Sequence, residues 1–169
     1  MTTKGNGNSS TYRLHSIGYV RASDEEQSYI LQIDEAYRPA LKEMEQFSHV
    51  MVFWWADKMD TKQYRNIMTT ELPYAPGVEA GVFACRSEYR PNPIAVTTMM
   101  VIDVDVKNGI VVLPWIDAFD GTPIIDLKPY IPISDRIRDY SVAEWLADWP
   151  EWMEDAAEYF AEHATDFGD

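Results

Sequence analysis

The chain has 169 residues, is 46% hydrophobic and 13% aromatic, and carries a net charge of −14. That is enough for one domain with a full core, and the hydrophobic share argues against global disorder. No run of eighteen apolar residues is present, so no membrane span is expected, and the single cysteine, Cys85, excludes an internal disulfide framework and fits a reducing cytoplasm. The charge is uneven: residues 135–169 hold eleven acidic and two basic side chains. Such a tail repels nucleic acid at short range and leaves a local basic patch to the first part of the chain.

Residues 1–11 are polar and small, lack a signal pattern, and read as a flexible lead-in. Alternation predicts strands at 12–22 and 28–33, joined by the acidic turn 23–26. Residues 35–47 place Ala36, Ala40, Leu41 and Met44 at helical spacing, with Pro39 near the start. The apolar run 49–56 has the length and aromatic content of a buried strand, and 57–72 reads as a loop with a helical turn. Further strands are expected at 81–85, 95–106, 109–116 and 124–127, with Asn108-Gly109 as a hairpin signal. Then the regime changes. Ser141-x-x-Glu144 reads as a capping box, and Asp148 with Pro150 as the start of a second helix. That helix would carry Trp149, Trp152, Met153, Ala156, Tyr159, Phe160 and His163 on one face. The fold class is mainly β (α+β): a barrel-like antiparallel core with peripheral helices. Three regions are expected: the lead-in, a β domain at 12–139, and an acidic amphipathic helical extension at 140–169.

Two stretches carry the chemistry. The first is G-V-F-A-C-R-S at 81–87 followed by R-P-N-P-I at 90–94. Prolines stiffen the backbone beside Arg90, and a stiff loop with two permanent cations, Arg86 and Arg90, suits a fixed anion. The second is D-G-T-P at 120–123, running to Asp126, Lys128 and Tyr130. Those last three alternate by two, so a strand would point them to one face. His15, His49 and His163 have no ligand spacing, so no metal site is expected. Neither a Walker loop nor a G-x-G-x-x-G is present. Cys85 reads as packing rather than as a nucleophile, and Phe53-Trp54-Trp55 as core first and pocket wall second.

Together with I-G-Y-V-R at 17–21 and Phe47-Ser48-His49, these motifs resemble the TrmO/TsaA-like family of S-adenosylmethionine-dependent methyltransferases. The resemblance covers about 17–132. It implies a small antiparallel β-barrel, a homodimer with the methyl donor near the subunit interface, and methylation of the exocyclic nitrogen of threonylcarbamoyl-adenosine beside the tRNA anticodon. It assigns donor contacts to Arg86, with Arg90 and Asn92 in the same loop, to Ala56, Asp57 and Lys58, to Thr98, and to Phe119, Asp120, Gly121 and Thr122. Asp126, Lys128 and Tyr130 become the candidates for deprotonating the acceptor. Arg13, Arg21, Arg38, Lys42, Lys58, Lys62 and Arg65 could supply a basic footprint for tRNA. The acidic balance keeps two alternatives open: a methyltransferase acting on a small molecule or protein, and a donor-binding module without catalysis.

Overall fold

The computed structural model describes residues 11–23 and 28–163. Of the expected lead-in at 1–11, residues 1–10 lie outside the described residues, as do 24–27 and 164–169; of the acidic turn expected at 23–26, Ser23 is described and ends the first strand. Nine strands are described: β1 (Gly18–Ser23), β2 (Ser28–Ile33), β3 (His49–Trp55), β4 (Thr69–Leu72), β5 (Ala75–Gly81), β6 (Ile94–Met100), β7 (Asp103–Asp105), β8 (Ile110–Leu113) and β9 (Pro123–Pro129). By contacts the chain divides into two compact units, Met1–Trp55 with Val96–Pro129, and Ala56–Ala95 with Tyr130–Asp169.

Seven strands form one sheet in the order β6-β3-β9-β1-β2-β8-β7. Its registered pairs β1–β2, β1–β9, β2–β8, β3–β9 and β7–β8 are all antiparallel. The expected barrel is not formed among the described residues: β6 and β7 end the order as edges and do not close on one another. The core of the first unit is the inward face of this sheet. Val20, Leu31, Val50, Val52, Val111 and Ile124 are fully buried there. β3 shows the expected alternation, with Val50, Val52 and Trp54 in and Met51, Phe53 and Trp55 half out. The Trp54 indole N–H donates to Thr97 Oγ1 at 3.1 Å, which satisfies both polar groups inside the core.

The connection into β8 shows why Asn108-Gly109 marks a turn. Gly109 has φ +71°, and a Cβ there would meet the Ile33 carbonyl and the Arg38 side chain. The Asp105 carboxylate accepts from the Asn108 side chain and backbone N–H, at 2.6 and 3.0 Å. Those hydrogen bonds, the side-chain one first, hold its pKa below the usual carboxylate value.

The helical expectations needed correction. Residues 35–47 do not form an α-helix; they form 3-10 turns at Glu35–Leu41 and Met44–Gln46. Pro39 lies inside the first, and Glu43 at φ 70° breaks the path between them. The expected strand 81–85 is also absent. Gly81 ends β5, and 82–93 is turn and bend. The strand that matters there is β5 itself, paired with β4 across a hairpin.

In the second unit Leu72 and Val82 are the buried centre of that hairpin region. Tyr74, on the turn between β4 and β5, receives the C-terminal aromatics: Trp145 at 5.7 Å and Trp149, edge-on, at 5.2 Å between centroids. Burial, with Cys85 nearby, pushes the Tyr74 phenol pKa up. Phe160 closes on Trp149 at 5.2 Å, and His163 stacks on Tyr159. Ser141 does not cap: the turn at Glu144–Leu146 starts from Ala143, with no side-chain cap. The last helix is Ala156–Glu162, preceded by a 3-10 turn at Met153–Asp155, so it begins well after Asp148. Among the described residues Trp152 does not join the aromatic cluster; the Arg136 guanidinium lies 4.6 Å from its ring centroid.

Ile124 is completely buried between β3 and β1. Ile124→Ala is expected to lower the unfolding free energy by about 2–5 kcal/mol, the usual cost of emptying such a site. Urea titration of the whole chain followed by tryptophan fluorescence measures it.

Candidate functional site

The sequence-derived site residues divide between the two units. In the first unit, β9 carries Asp126 and Lys128, β6 carries Thr98, and the turn before β9 carries Phe119 to Thr122. Register explains how the β9 residues come to face away from the core. Leu127 pairs with Val52 and Pro129 with Val50, whereas Asp126 pairs with Phe53 and Lys128 with Met51. The register then slips between Phe53 and Trp54, so that Trp54 pairs with Ile124 and Ile125 is the extra residue. This bulge keeps both Ile124 and Leu127 on the core side, although they are three residues apart, and re-aims Asp126.

The Lys128 ammonium bonds Asp126 Oδ2 at 2.7 Å and lies 5.8 Å from the Phe53 ring centroid. Asp126 Oδ1 accepts from the Leu127 N–H at 2.9 Å. About half of each side chain of the ion pair is exposed, so the pair adds only about 0–1 kcal/mol to stability. What it does is hold a carboxylate and an ammonium in one place on an open sheet face. Thr98 joins that face: its neighbour Thr97 points to Trp54 in the core, and alternation puts Thr98 on the other side. The core role of Thr97 shows only through a partner forty-three residues away, which residue type and spacing do not reveal. Tyr130 is half-buried, follows directly on β9 and belongs to the second unit.

The turn before β9 is hooked onto β1. Asp120 Oδ1 accepts from the Ala22 N–H at 3.1 Å, and the Gly121 N–H donates to the Val20 carbonyl at 2.8 Å. The Val20 N–H donates to the Thr122 carbonyl at 2.9 Å. Gly121 has φ +81°, and a Cβ built there would meet nothing within 4 Å. The turn is therefore fixed from behind and open in front. Thr122 is buried, while Phe119, Asp120 and Gly121 are exposed.

In the second unit the two arginines differ. Arg90 is half-buried, and its Nη2 donates to the Val82 carbonyl at 2.8 Å, so it closes its own loop. Arg86 is exposed and has no ion pair or hydrogen bond among the described residues. The loop around it is tied down: the Val82 N–H donates to Met68 O, the Ala84 N–H to Gly81 O, and the Tyr89 N–H to Ser87 Oγ. Arg86 is thus a free cation on a fixed backbone, the arrangement that binds a carboxylate best. Cys85 is half-buried, and its Sγ lies 3.8 Å from the Val82 carbonyl.

Ala56, Asp57 and Lys58 lie beside this loop in the same unit. Ala56 is buried and its N–H donates to Pro93 O at 2.9 Å, while Asp57 and Lys58 are exposed on a 3-10 turn, Asp57–Met59. Asn92 is exposed, and its carbonyl accepts from the Ile94 N–H. Among the cations considered for a nucleic-acid footprint, Arg38 and Arg65 bond protein groups. Arg38 donates to the Ile33 and Lys107 carbonyls, and Arg65 to Asp60 and Pro91. Arg13, Arg21, Lys42, Lys58 and Lys62 are exposed. No group of three or more His, Cys, Asp or Glu side chains fit to hold a metal occurs among the described residues.

Residues 19–136 match the sequence model of the tRNA-methyltransferase O N-terminal domain. The chain belongs to that family. The match takes in both motif stretches. An S-adenosyl-L-methionine-binding protein of Archaeoglobus fulgidus is 35% identical over 107 residues, 63% of this chain and 72% of that protein. A tRNA (adenine(37)-N6)-methyltransferase of Escherichia coli K12 is 31% identical over 129 residues, which is 75% of this chain. The matched part is 53% of the Escherichia coli protein, so this family domain spans about half of that relative. Among solved structures, TrmO from Pseudomonas aeruginosa superposes with a TM-score of 0.63 at 26% identity, covering 92% of this chain and 73% of that one.

The different settings of the two arginines have a measurable consequence. Arg90→Ala leaves the Val82 carbonyl only the weak Cys85 thiol contact and is expected to cost about 1–2 kcal/mol of stability. Arg86→Ala should stay within about 0.5 kcal/mol of the parent, as an exposed unbonded side chain does. Thermal melts of the two variants side by side test this.

Proposed function

We propose that this chain is an S-adenosylmethionine-dependent tRNA methyltransferase acting on the exocyclic N6 of threonylcarbamoyl-adenosine, the base beside the anticodon. The observation that carries the reading is the family match over 19–136, joined to relatives named for this donor and for adenine 37. The residues fit the donor. Arg86 offers a free guanidinium to a methionine carboxylate, and the turn at Gly121 offers an open, Cβ-free surface to a close ligand. When bound, the donor supplies an electrophilic methyl group on a sulfonium and departs as a neutral thioether.

The protein's part is placement and proton removal. In-line displacement asks chiefly that the two reactants be held in line, which rigid loops on bonded backbones do. In the second unit Arg86 is assigned to the donor's carboxylate, and in the first unit the backbone from Phe119 to Thr122 is assigned to donor contact. Asp126, Lys128 and Tyr130 serve the acceptor. Its N6 bears an acyl-like group, is weakly nucleophilic, and must lose a proton as the new N–C bond forms. Asp126, held by Lys128 at 2.7 Å, is the carboxylate assigned to accept that proton. Arg90 and Asn92 shape the loop. The same reading makes the molecule a homodimer with the donor near the subunit interface, working in the cytoplasm.

Two observations favour a second reading. The Archaeoglobus relative is named for binding alone, and the charge of −14 is unusual for a tRNA partner. Donor binding without transfer, or transfer to a protein or small molecule, would be its signature.

Incubation with radiolabelled donor and separate tRNA, protein and metabolite fractions distinguishes these. Label is expected in tRNA and only when the threonylcarbamoyl group is present; label elsewhere would overturn the acceptor. Arg86→Ala should weaken donor binding about ten- to a hundredfold, the equivalent of a lost charge-assisted bond. Asp126→Asn and Tyr130→Phe should each lower turnover with donor affinity kept, by about a hundredfold if the residue moves the proton.

A further inference from the structure

We propose that Arg65 is a positioning residue for the donor site, tying the turn Asp57–Met59 to the R-P-N-P stretch. The inference rests on the donor-binding reading above. Arg65 ends the short helix Lys62–Arg65, whose start is capped by Thr61 Oγ1 accepting from the Tyr64 N–H. From there its Nη1 donates to the Pro91 carbonyl at 2.9 Å, and its Nε to Asp60 Oδ1 at 2.5 Å. One planar guanidinium therefore holds a loop carbonyl twenty-six residues away and a carboxylate just past the 57–59 turn. Two further contacts run the same way. Tyr64 stacks on Tyr89 at 4.8 Å between centroids, and the Ala56 N–H donates to Pro93 O at 2.9 Å.

These contacts seam 56–65 to 89–93 inside a single unit. Each side of the seam carries assigned donor contacts: Ala56, Asp57 and Lys58 on one, Arg90 and Asn92 on the other. The ion pair is about one-third exposed and adds little stability by itself. Its geometry is another matter. Pro91 and Pro93 stiffen their loop but cannot set its distance from the neighbouring turn; Arg65 does so through two N–H vectors in a fixed plane. A lysine has no such fork and would serve one partner at a time.

The test uses the full chain with Arg65→Gln, Arg65→Lys, Asp60→Asn and Arg86→Ala. Donor affinity is measured by calorimetry, KM separately for donor and tRNA, and melting temperature for each variant. Arg65→Gln is expected to raise the donor Kd and KM about tenfold while the tRNA KM stays within about twofold, with Arg65→Lys recovering part of the loss. A merely structural role would reduce active protein and leave both KM values unchanged. Arg65→Gln with parental donor affinity overturns the proposal. Should that variant fail to fold, Asp60→Asn decides: a weaker donor Kd supports it and an unchanged one overturns it. If the parent chain binds no donor, the underlying reading falls and takes this inference with it. If the parent binds and Arg86→Ala abolishes binding while the Arg65 variants are unaffected, only this inference falls.

Discussion

The pairing of β3 with β9 is the constraint that positions the candidate residues of the first unit. β3 puts Val50, Val52 and Trp54 into the core, and β9 answers with Ile124, Leu127 and Pro129. Strict alternation cannot bury both Ile124 and Leu127, because an odd separation points them to opposite faces. The bulge resolves this by giving β9 one residue more than its partner. The polar pair Asp126 and Lys128 is then delivered, with Phe53, to the open face. Packing decides the register, and the register decides where Asp126 and Lys128 stand.

The second unit reaches rigidity by another route. Its loop from 82 to 93 has no strand ladder, so its backbone groups need partners from side chains and turns. Arg90 supplies one by bonding Val82 O, and Arg65 another by bonding Pro91 O. Arginine suits the task because its planar donors reach a carbonyl while the charge remains partly hydrated. With those two committed, Arg86 is left as the cation that the loop presents. The aromatic packing of Trp145 and Trp149 on Tyr74 gives the C-terminal segment an attachment within the same unit. A segment this acidic therefore has an apolar reason to be where it is.

Much of the sheet was legible. The second strand falls where alternation put it, 28–33, and the apolar run 49–56 gives β3 to within one residue. Asn108-Gly109 marked a real turn, since its glycine takes a positive φ. Errors cluster where local signals compete. The spacing of 35–47 is helical, yet Pro39 and the left-handed Glu43 leave only 3-10 turns. The strand expected at 81–85 lies earlier, at Ala75–Gly81, because pairing with β4 outweighs the poor strand propensity of Ala75-Pro76-Gly77. Ser141 had the right partner at the right spacing for a capping box, but packing of Trp145 on Tyr74 accompanies a single 3-10 turn starting at Ala143.

The candidate site divides in the same way. The motif residues, the family and the absence of a Rossmann-type glycine loop were all readable from short stretches, because such motifs are local in sequence. The sequence alone also set the excess of acid in the last thirty-five residues. Only the tertiary structure decided that Arg90 is a brace and Arg86 is free, that Thr97 rather than Thr98 faces Trp54, and that Arg65 seams two loops. It also decided that the sheet stays open among the described residues. The physical reason is range. Residue type and spacing dictate what a segment can do, but a hydrogen bond between groups twenty-six or forty-three residues apart exists only once the chain has folded.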